Sequence, residues 1–349
     1  MQANNVEQVL SVDLGRTATK ACRNLNPEEV VVIPANVKRL YIEEVRRGRD
    51  EAGEGDPLLD LWLEYRGQGY AIGQLAADFG ANLGLGQRKV EDALIKIFAC
   101  VGYFKLWDRP LGIVLGLPYL SHQQFEQEKA ELIDLLDGKH TINYRGESVT
   151  LDLQQIWIIP EGYGSLIRCE IQNQEQGLEQ TFVNASVAVM DIGYQTTEFL
   201  LFDRFRFARG ASSSEEFAMA QFYERLAEQI AGADSQSLAL IEAVNQPEGQ
   251  RFYRARGSTM ATDLDTILPE IKSNFARDLY NQLMRWLPER TMDIIVTGGG
   301  GGFFWENLRA LIKTSNLTPH LATPPRQANA LGQQIYGQVR LKEIAQERG

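Results

Sequence analysis

The sequence has few cysteines and no long apolar run, and each shortage excludes a class of protein. Its three cysteines, Cys22, Cys100 and Cys169, are too few and too far apart for a disulfide framework or a thiolate metal site. No apolar stretch approaches the roughly 20 residues of a membrane-spanning helix. The N-terminus lacks the basic and apolar regions of an export signal. We therefore expect a cytoplasmic protein with no transmembrane segment.

Basic residues are also scarce relative to acidic ones. The chain has 35 Lys and Arg residues against 46 Asp and Glu residues, a formal net charge of −11. A protein that binds nucleic acid unaided gains most of its affinity by neutralising phosphates, which an acidic surface does poorly. We expect no direct nucleic-acid contact, so that any DNA is held through a DNA-binding adaptor protein.

The chain contains an internal repeat, in which one segment of the first half has a similar segment in the second half. Val9 to Lys20 runs from an apolar strand through Asp13-Leu14-Gly15 into a second strand, and Val187 to Glu198 does the same through Asp191-Ile192-Gly193. Aligned on the aspartates, both segments carry a threonine six positions later. Each aspartate is therefore predicted to lie at the end of a strand where a hairpin begins.

The internal repeat extends downstream of each hairpin. In the first half, an apolar strand at 111–118 precedes a helical pattern at 123–136 and a strand at 156–160. In the second half, a strand at 292–296 is followed by glycines 298–302 and a helix predicted from Phe303 to about Lys313. These repeats predict an α/β fold of two related units, each with a mixed sheet flanked by helices.

The repeat also predicts the domain boundaries. A chain of 349 residues is long enough for two domains. The first domain is expected at 1–185, with a small subdomain at about 36–79, and the second at 186–322, with a mostly helical small subdomain at about 211–287. The C-terminal segment 323–349 is expected to pack back on the first domain.

The paired hairpins have the composition of phosphate-binding loops. A polyphosphate needs close backbone N–H groups, hydroxyl donors and a metal that neutralises its charge. Two aspartates, Asp13 and Asp191, would hold Mg²⁺ largely through its waters. The other candidate nucleotide-binding residues supply tight turns, hydroxyls and positive charge: Gly15, Arg16, Thr17, Thr19, Lys20, Gly193, Thr196 and Thr197.

Two further segments would meet the same ligand. The five glycines fit either a flexible linker or a turn where the backbone approaches a ligand, and their place between a strand and a helix favours the second. Gly298, Gly299 and Gly300 are therefore expected at the nucleotide. Glu161 follows the last strand of the first half and is expected to polarise an attacking water, the alternative being a solvated glutamate at a turn. No Walker sequence is present, which disfavours a P-loop NTPase.

These segments resemble the five signature segments of the actin, Hsp70 and sugar-kinase superfamily. Val12 to Lys20 and Met190 to Glu198 resemble its two phosphate segments, and Val296 to Phe304 resembles its adenosine segment. Ile159 to Leu166 and Ala328 to Gly337 are similar to its two connecting segments. Within the superfamily, the short length and the Gly-rich adenosine segment are most similar to ParM/StbA-type bacterial actin-like ATPases.

The resemblance implies an actin-like fold of two related ribonuclease-H-like domains with a nucleotide cleft between them. It implies ATP and Mg²⁺ as cofactors, with Asp13 and Asp191 organising the metal and Lys20 at the phosphates. It implies catalytic roles for Glu161 and Asp191, and it places Gly298 to Gly300 against the adenosine. Arg16 and Tyr194-Gln195 depart from the small residues expected in such loops.

The resemblance also implies ATP hydrolysis coupled to a homopolymer filament. The expected role is in plasmid or DNA segregation, or as a bacterial cytoskeletal element. Two alternatives on the same fold stay open at this point, a small-molecule kinase and a non-polymerising scaffold protein.

Overall fold

The computed structural model describes residues 6–46, 56–82, 90, 92–178 and 182–347, and the chain divides into two compact units. Unit 1 comprises Met1–Leu178 with Gln327–Gly349, and unit 2 comprises Glu179–Arg326. Residues 47–55 of the predicted first small subdomain lie outside the described residues. Within the described ranges, no helix is long and apolar enough to cross a membrane.

Unit 1 contains one mixed sheet with helices around it. The strands are β1 (Gln8–Leu14), β2 (Ala18–Cys22), β3 (Val31–Pro34), β4 (Val37–Leu40), β5 (Leu61–Tyr65), β6 (Gln68–Ile72), β7 (Leu111–Leu117), β8 (Gly138–Tyr144) and β9 (Glu147–Pro160). The helices are α1 (Ile42–Arg46), α2 (Gln74–Asp78), α3 (Ala93–Tyr103), α4 (His122–Leu136) and α5 (Tyr163–Glu175). The strand order is β3-β2-β1-β7-β9-β8-β5-β6-β4.

Unit 2 repeats the central part of this arrangement. Its strands are β10 (Ser186–Ile192), β11 (Thr197–Asp203), β12 (Arg206–Phe207), β13 (Ser213–Glu215), β14 (Phe252–Tyr253), β15 (Thr262–Asp263), β16 (Asp293–Thr297) and β17 (Thr318–Leu321). Its helices are α6 (Met219–Glu228), α7 (Leu238–Val244), α8 (Leu268–Trp286) and α9 (Gly298–Thr314). The chain then returns to unit 1 as α10 (Ala328–Gln346).

The two sheets share one strand order. Strands β3-β2-β1-β7-β9 in unit 1 correspond to β12-β11-β10-β16-β17 in unit 2. In each, the first strand of the hairpin pairs antiparallel with the second and parallel with a later strand, β7 or β16. Both units are therefore ribonuclease-H-like, which confirms the two related α/β units predicted from the repeat and the fold that the family resemblance implies.

Apolar side chains from strands and helices form the core of unit 2. Phe222, Phe275 and Phe304 are fully buried, and the rings of Phe275 and Phe304 stack at 5.2 Å between centroids. Burying one such side chain contributes about 1.5–3 kcal/mol. This packing anchors α6, α8 and α9 beside the sheet, and so fixes where the N-termini of α6 and α9 lie.

Helix α10 is held on unit 1 by a buried glutamine. Gln334 Nε2 donates to the carbonyls of Val9 (3.1 Å) and Arg23 (3.0 Å), and its Oε1 accepts from the backbone N–H of Ser11 (3.0 Å). Because buried polar groups are costly unless paired, these bonds specify one register of the helix against β1.

The glycine run is helical, so the prediction of a helix beginning near Phe303 was wrong. Helix α9 begins at Gly298 and includes all five glycines. A Cβ atom at Gly300 would lie 2.4 Å from Ile192 Cγ2, so the first turn packs on β10 more closely than any side chain permits. This tertiary contact outweighs the helix propensity of glycine, which is about 1 kcal/mol below that of alanine.

Candidate functional site

The first Asp-x-Gly hairpin holds an ion pair at its base. Asp13 lies opposite Lys20 in the β1–β2 ladder, and Lys20 Nζ donates to Asp13 Oδ2 at 2.9 Å. Both side chains are largely buried, with 14% of the Lys20 side chain and 7% of the Asp13 side chain exposed. A Cβ atom at Gly15 would lie 2.4 Å from the carbonyl oxygen of Ala18 and 2.9 Å from Lys20 Nζ. Glycine is therefore required at 15 for this turn and this ion pair.

The second hairpin is fixed by the helix that follows it. The N–H of Gly193 donates to the carbonyl of Thr196 at 2.9 Å, which closes the turn. The backbone N–H groups of Met219 and Ala220, at the start of α6, donate to the carbonyls of Gly193 (3.3 Å) and Tyr194 (2.7 Å). These loop carbonyls satisfy N–H groups that the helix itself leaves unpaired.

Tyr194, one of the departures from the expected loop sequence, packs beside the turn. Its ring stacks on that of Tyr223 with the centroids 6.2 Å apart. Burial, followed by the nearby Glu224 and Asp234 carboxylates, raises the pKa of the Tyr194 hydroxyl. The phenol therefore stays neutral and remains a hydrogen-bond donor.

The two hairpins differ in charge at one equivalent position. Asp191 lies opposite Glu198 in the β10–β11 ladder, where Asp13 has Lys20 as its partner. Glu198 is buried, and its Oε1 accepts from Ser214 Oγ at 2.7 Å. Carboxylate oxygens are ligands that a divalent cation such as Mg²⁺ prefers, so this pair in unit 2 has the chemistry of a cation site.

The donor set suits a cation that keeps much of its own coordination shell. Among the described residues, no three His, Cys, Asp or Glu side chains gather as a protein-only metal cage would require. Mg²⁺ is usually held by one or two carboxylates, with waters and substrate phosphates completing the octahedron. Asp13 and Asp191 fit that chemistry, each within its own unit.

Glu161 is placed by the end of the sheet and the start of α5. It directly follows β9, its N–H donates to the carbonyl of Leu117 at 2.8 Å, and only 8% of the residue is exposed. Gly162, at φ +83°, turns the chain into α5. The solvated-turn alternative for Glu161 is therefore incompatible with its burial.

The N-terminus of α5 is capped from another helix. Asn329 Oδ1 accepts from the N–H groups of Gly162 (3.0 Å) and Ser165 (3.2 Å) and from Ser165 Oγ (2.9 Å). The two helices touch through their backbones, since a Cβ atom at Gly332 would lie 1.7 Å from the carbonyl oxygen of Gly164. Asn329 thus fixes the segment that carries Glu161, a role that sequence reasoning missed.

The glycines at the start of α9 lie beside Asp191. A Cβ atom at Gly298, where φ is +84°, would be 2.4 Å from Asp191 Oδ1. Gly299 is exposed and a Cβ atom there would meet nothing within 4 Å. The N-terminus of a helix favours negative charge, because its first N–H groups have no partner within the helix. Here the Gly298 N–H donates to the carbonyl of Pro325 at 3.1 Å, so the amides that follow it in the first turn are the ones available to a ligand.

The threonine hydroxyls divide into two kinds. Thr19 and Thr197 are buried at 1% and 0% exposure, and Thr197 Oγ1 donates to the carbonyl of Phe217 at 2.6 Å. Thr17 and Thr196 lie half-buried in the turns themselves, as does Arg16. The turn residues are therefore the ones positioned to meet a ligand outside the sheet.

Comparison with protein families gives two matches that together span most of the chain. Residues 11–164 match the family "Actin like proteins N terminal domain". Residues 189–310 match "Archaeal actin homologue MreB-like, C-terminal". No curated protein sequence matches the chain.

Solved structures of actin-like proteins match the whole fold at low sequence identity. The actin-like protein Alp7A matches with a TM-score of 0.73 at 17% identity, over 97% of this chain and 98% of that one. The ParM of a 15-stranded filament from Clostridium botulinum matches with 0.69 at 18%, over 96% and 99%. The archaeal actin homologue Ta0583, in complex with ADP, matches with 0.70 at 17%, over 95% and 100%.

Two ribonuclease-H-like units, each with an Asp-x-Gly hairpin at the end of its first strand, define the actin-like class of protein. The family matches in both halves agree with this class, and the chain belongs to the actin-like proteins. The resemblance to ParM-type proteins is confirmed at the level of the fold.

Proposed function

We propose that this protein is a cytoplasmic actin-like ATPase that forms filaments when nucleotide is bound. The single observation that supports this most is the repeated hairpin, with an aspartate at the same register position in both units. The similar structures reported above include a ParM filament and an ADP complex of an archaeal actin homologue. The role proposed is in plasmid or DNA segregation, with a DNA-binding adaptor, or in the bacterial cytoskeleton.

The residue roles in this proposal are those that the family resemblance implies, and the geometry within each unit is compatible with them. Asp13 in unit 1 and Asp191 in unit 2 would each supply a carboxylate for hydrated Mg²⁺, which would bring positive charge to the nucleotide phosphates. Lys20, buried beside Asp13, contributes positive charge at the base of the first loop. Around the turns, the remaining binding groups are Arg16, Thr17, Thr196 and the amides of Gly15 and Gly193. The adenosine is proposed to lie against Gly298 to Gly300 at the start of α9.

Glu161 is proposed to orient the attacking water. Its carboxylate is held at the carboxyl end of β9 by a turn that Asn329 caps from α10. A residue in this role acts on the water rather than on the ground-state phosphates. Glu161→Gln should therefore lower kcat by about 100-fold while nucleotide affinity stays nearly constant. Equal losses in kcat and affinity would instead mean that Glu161 contacts the nucleotide.

The metal assignment is tested by removing one carboxylate at a time. Asp13→Asn and Asp191→Asn should each reduce phosphate release from Mg-ATP by about 100-fold or more, because the metal loses a charged anchor. Asp134→Asn, an exposed aspartate on α4, is the matched control and should keep full activity. Turnover at the wild-type rate in both site variants would remove the basis for the metal site.

Filament formation is tested by light scattering and sedimentation over a range of protein and salt concentrations. With ATP or a non-hydrolysable analogue, the protein should sediment as polymer, and scattering should fall after hydrolysis. A protein that binds nucleotide but stays monomeric would contradict the filament proposal. Phosphate transfer to a small hydroxyl compound would then favour the kinase alternative, and absence of turnover the scaffold alternative.

A further inference from the structure

Two neighbouring glutamines on α10 are both buried but differ in their hydrogen bonds. Gln334 is 1% exposed and pairs with the backbone at Val9, Ser11 and Arg23. Gln333 is 0% exposed, and neither its Oε1 nor its Nε2 has a hydrogen-bond partner among the residues that the structure describes. The first glutamine has a structural explanation, whereas the second has none.

An unpaired buried amide is expensive. Leaving a buried donor or acceptor unsatisfied is destabilising, and an apolar side chain of the same size would avoid that cost. Native proteins that keep such a group usually use it to meet a water, an ion or a reacting group. The groups around the Gln333 amide therefore indicate its role.

The amide of Gln333 and the side chain of Glu161 both lie next to Gly116. Gly116 lies on β7, and a Cβ atom there would be 2.6 Å from Gln333 Nε2 and 3.2 Å from Glu161 Cγ. Both side chains therefore approach the same α-carbon, in space that only glycine leaves open. Gly116, Glu161 and Gln333 all belong to unit 1.

We infer that Gln333 is a positioning residue for Glu161, its amide N–H donating to the carboxylate through one shared buried water. This inference rests on the function proposed above for Glu161. An amide donor beside a carboxylate restricts the rotation of that carboxylate and stabilises its charge. Gln333 thereby acts on the attacking water only through Glu161 and does not itself touch the nucleotide.

The kinetic test compares Gln333→Met with Gln334→Met, since methionine keeps the length of glutamine and removes the amide. Gln333→Met should lower kcat for ATP hydrolysis by about 10-fold, as supporting residues of reactive groups commonly do, with KM changed by less than about twofold. Gln334→Met should leave kcat and KM of the folded protein unchanged. A Gln333→Met enzyme with wild-type kcat would overturn the inference.

A second measurement tests the interaction between Gln333 and Glu161 without measuring ATP hydrolysis. The chain has three cysteines, all buried and all in unit 1, so their rate of thiol labelling in the nucleotide-free protein reports the opening of that unit. Gln333→Met should increase the equilibrium constant for opening by a larger factor in the wild-type background than in a Glu161→Gln background, with the two factors differing about threefold or more. This difference is expected because substitutions at contacting residues have non-additive effects. Gln334→Met should have the same effect in both backgrounds.

The two measurements separate failure of the inference from failure of the proposed function. Additive effects of Gln333→Met and Glu161→Gln on the opening constant would overturn the contact, whatever the hydrolysis rate. Coupled effects with no hydrolysis by the wild-type protein would overturn the proposed ATPase activity and the positioning role together, while the contact itself would stand.

Discussion

Two neighbouring glycines at the start of α9, Gly298 and Gly299, differ in the space around them. Gly298 has φ +84° and would place a Cβ atom 2.4 Å from Asp191 Oδ1, whereas Gly299 faces open space. Neighbouring glycines in one run therefore have different requirements. The first is needed by the fold around Asp191, and the second leaves a surface free for a ligand.

Alanine substitutions at these two glycines should separate the two requirements. Gly298→Ala should lower the melting temperature and ATP hydrolysis together, because it strains φ and displaces Asp191. Gly299→Ala should leave the melting temperature unchanged or raise it, since alanine favours a helix by about 1 kcal/mol over glycine. Its nucleotide affinity should fall, because the methyl would occupy the surface proposed for the adenosine. Wild-type affinity in Gly299→Ala would place the adenosine elsewhere.

The buried thiols make a second prediction at this scale. Burial raises the pKa of the Cys22 and Cys100 thiols from 9.0 to about 12. Because the folded-state pKa lies above the unfolded one, the associated stability is fully present below pH 9 and is lost as the pH rises toward 12. Thiol labelling at pH 8 should be at least about 100-fold slower in the native protein than in denaturant. Rapid native labelling at pH 8 would contradict this burial.

At the scale of elements, the crossing of α5 and α10 determines where Glu161 lies. Gly164 and Gly332 bring the helix backbones into contact, and Asn329 supplies the cap that the sequence of α5 lacks. A cap from a distant helix couples the two elements, because neither can move without leaving buried N–H groups unpaired.

Removing this cap should loosen α5 first. Asn329→Ala leaves two backbone N–H groups and a hydroxyl without their acceptor, which should cost about 2 kcal/mol or more. Labelling of Cys169, which lies on α5, should accelerate more than labelling of Cys100 on α3. Asn329→Asp keeps an oxygen acceptor and serves as the control, with labelling rates near those of the wild type. Equal acceleration of both cysteines in Asn329→Ala would indicate a global rather than a local effect.

The elements that the sequence predicted are those with a local signal. Both hairpins follow from an apolar run ending in Asp-x-Gly, and the structure has β1–β2 and β10–β11 at these positions. Glu198 could also have been found, since it stands seven residues after Asp191 as Lys20 does after Asp13. These features depend on period and spacing, which a single sequence displays.

The features that were missed depend on tertiary contacts. Glycine is a poor helix former, so a run of it predicts a turn, and only the packing of Gly300 on Ile192 explains the helix. Asn329 and Gln333 are polar residues in a helical pattern, where the usual expectation is a solvated face. Their burial becomes evident only when α10 is placed against β7 and α5.

At the scale of the whole molecule, charge limits how the proposed filament could engage DNA. The net charge of −11 repels a polyanion and so opposes the phosphate neutralisation on which nucleic-acid binding depends. A basic adaptor would be attracted to the filament and to DNA alike. The proposed adaptor, which the family resemblance implies, is therefore compatible with the electrostatics of the chain.

The purified protein should fail to bind DNA at physiological salt, with ATP or without it. In a gel-shift titration, a duplex should remain unbound up to protein concentrations at which light scattering reports polymer. Because each neutralised phosphate makes affinity fall with salt, lowering the salt concentration should produce at most weak, sequence-independent binding. A basic DNA-binding protein of the proposed adaptor class should restore retention of the duplex in the polymer pellet, and poly-glutamate should compete for that basic protein. Tight DNA binding by the purified chain alone at physiological salt would refute the adaptor and require a basic surface on this acidic protein.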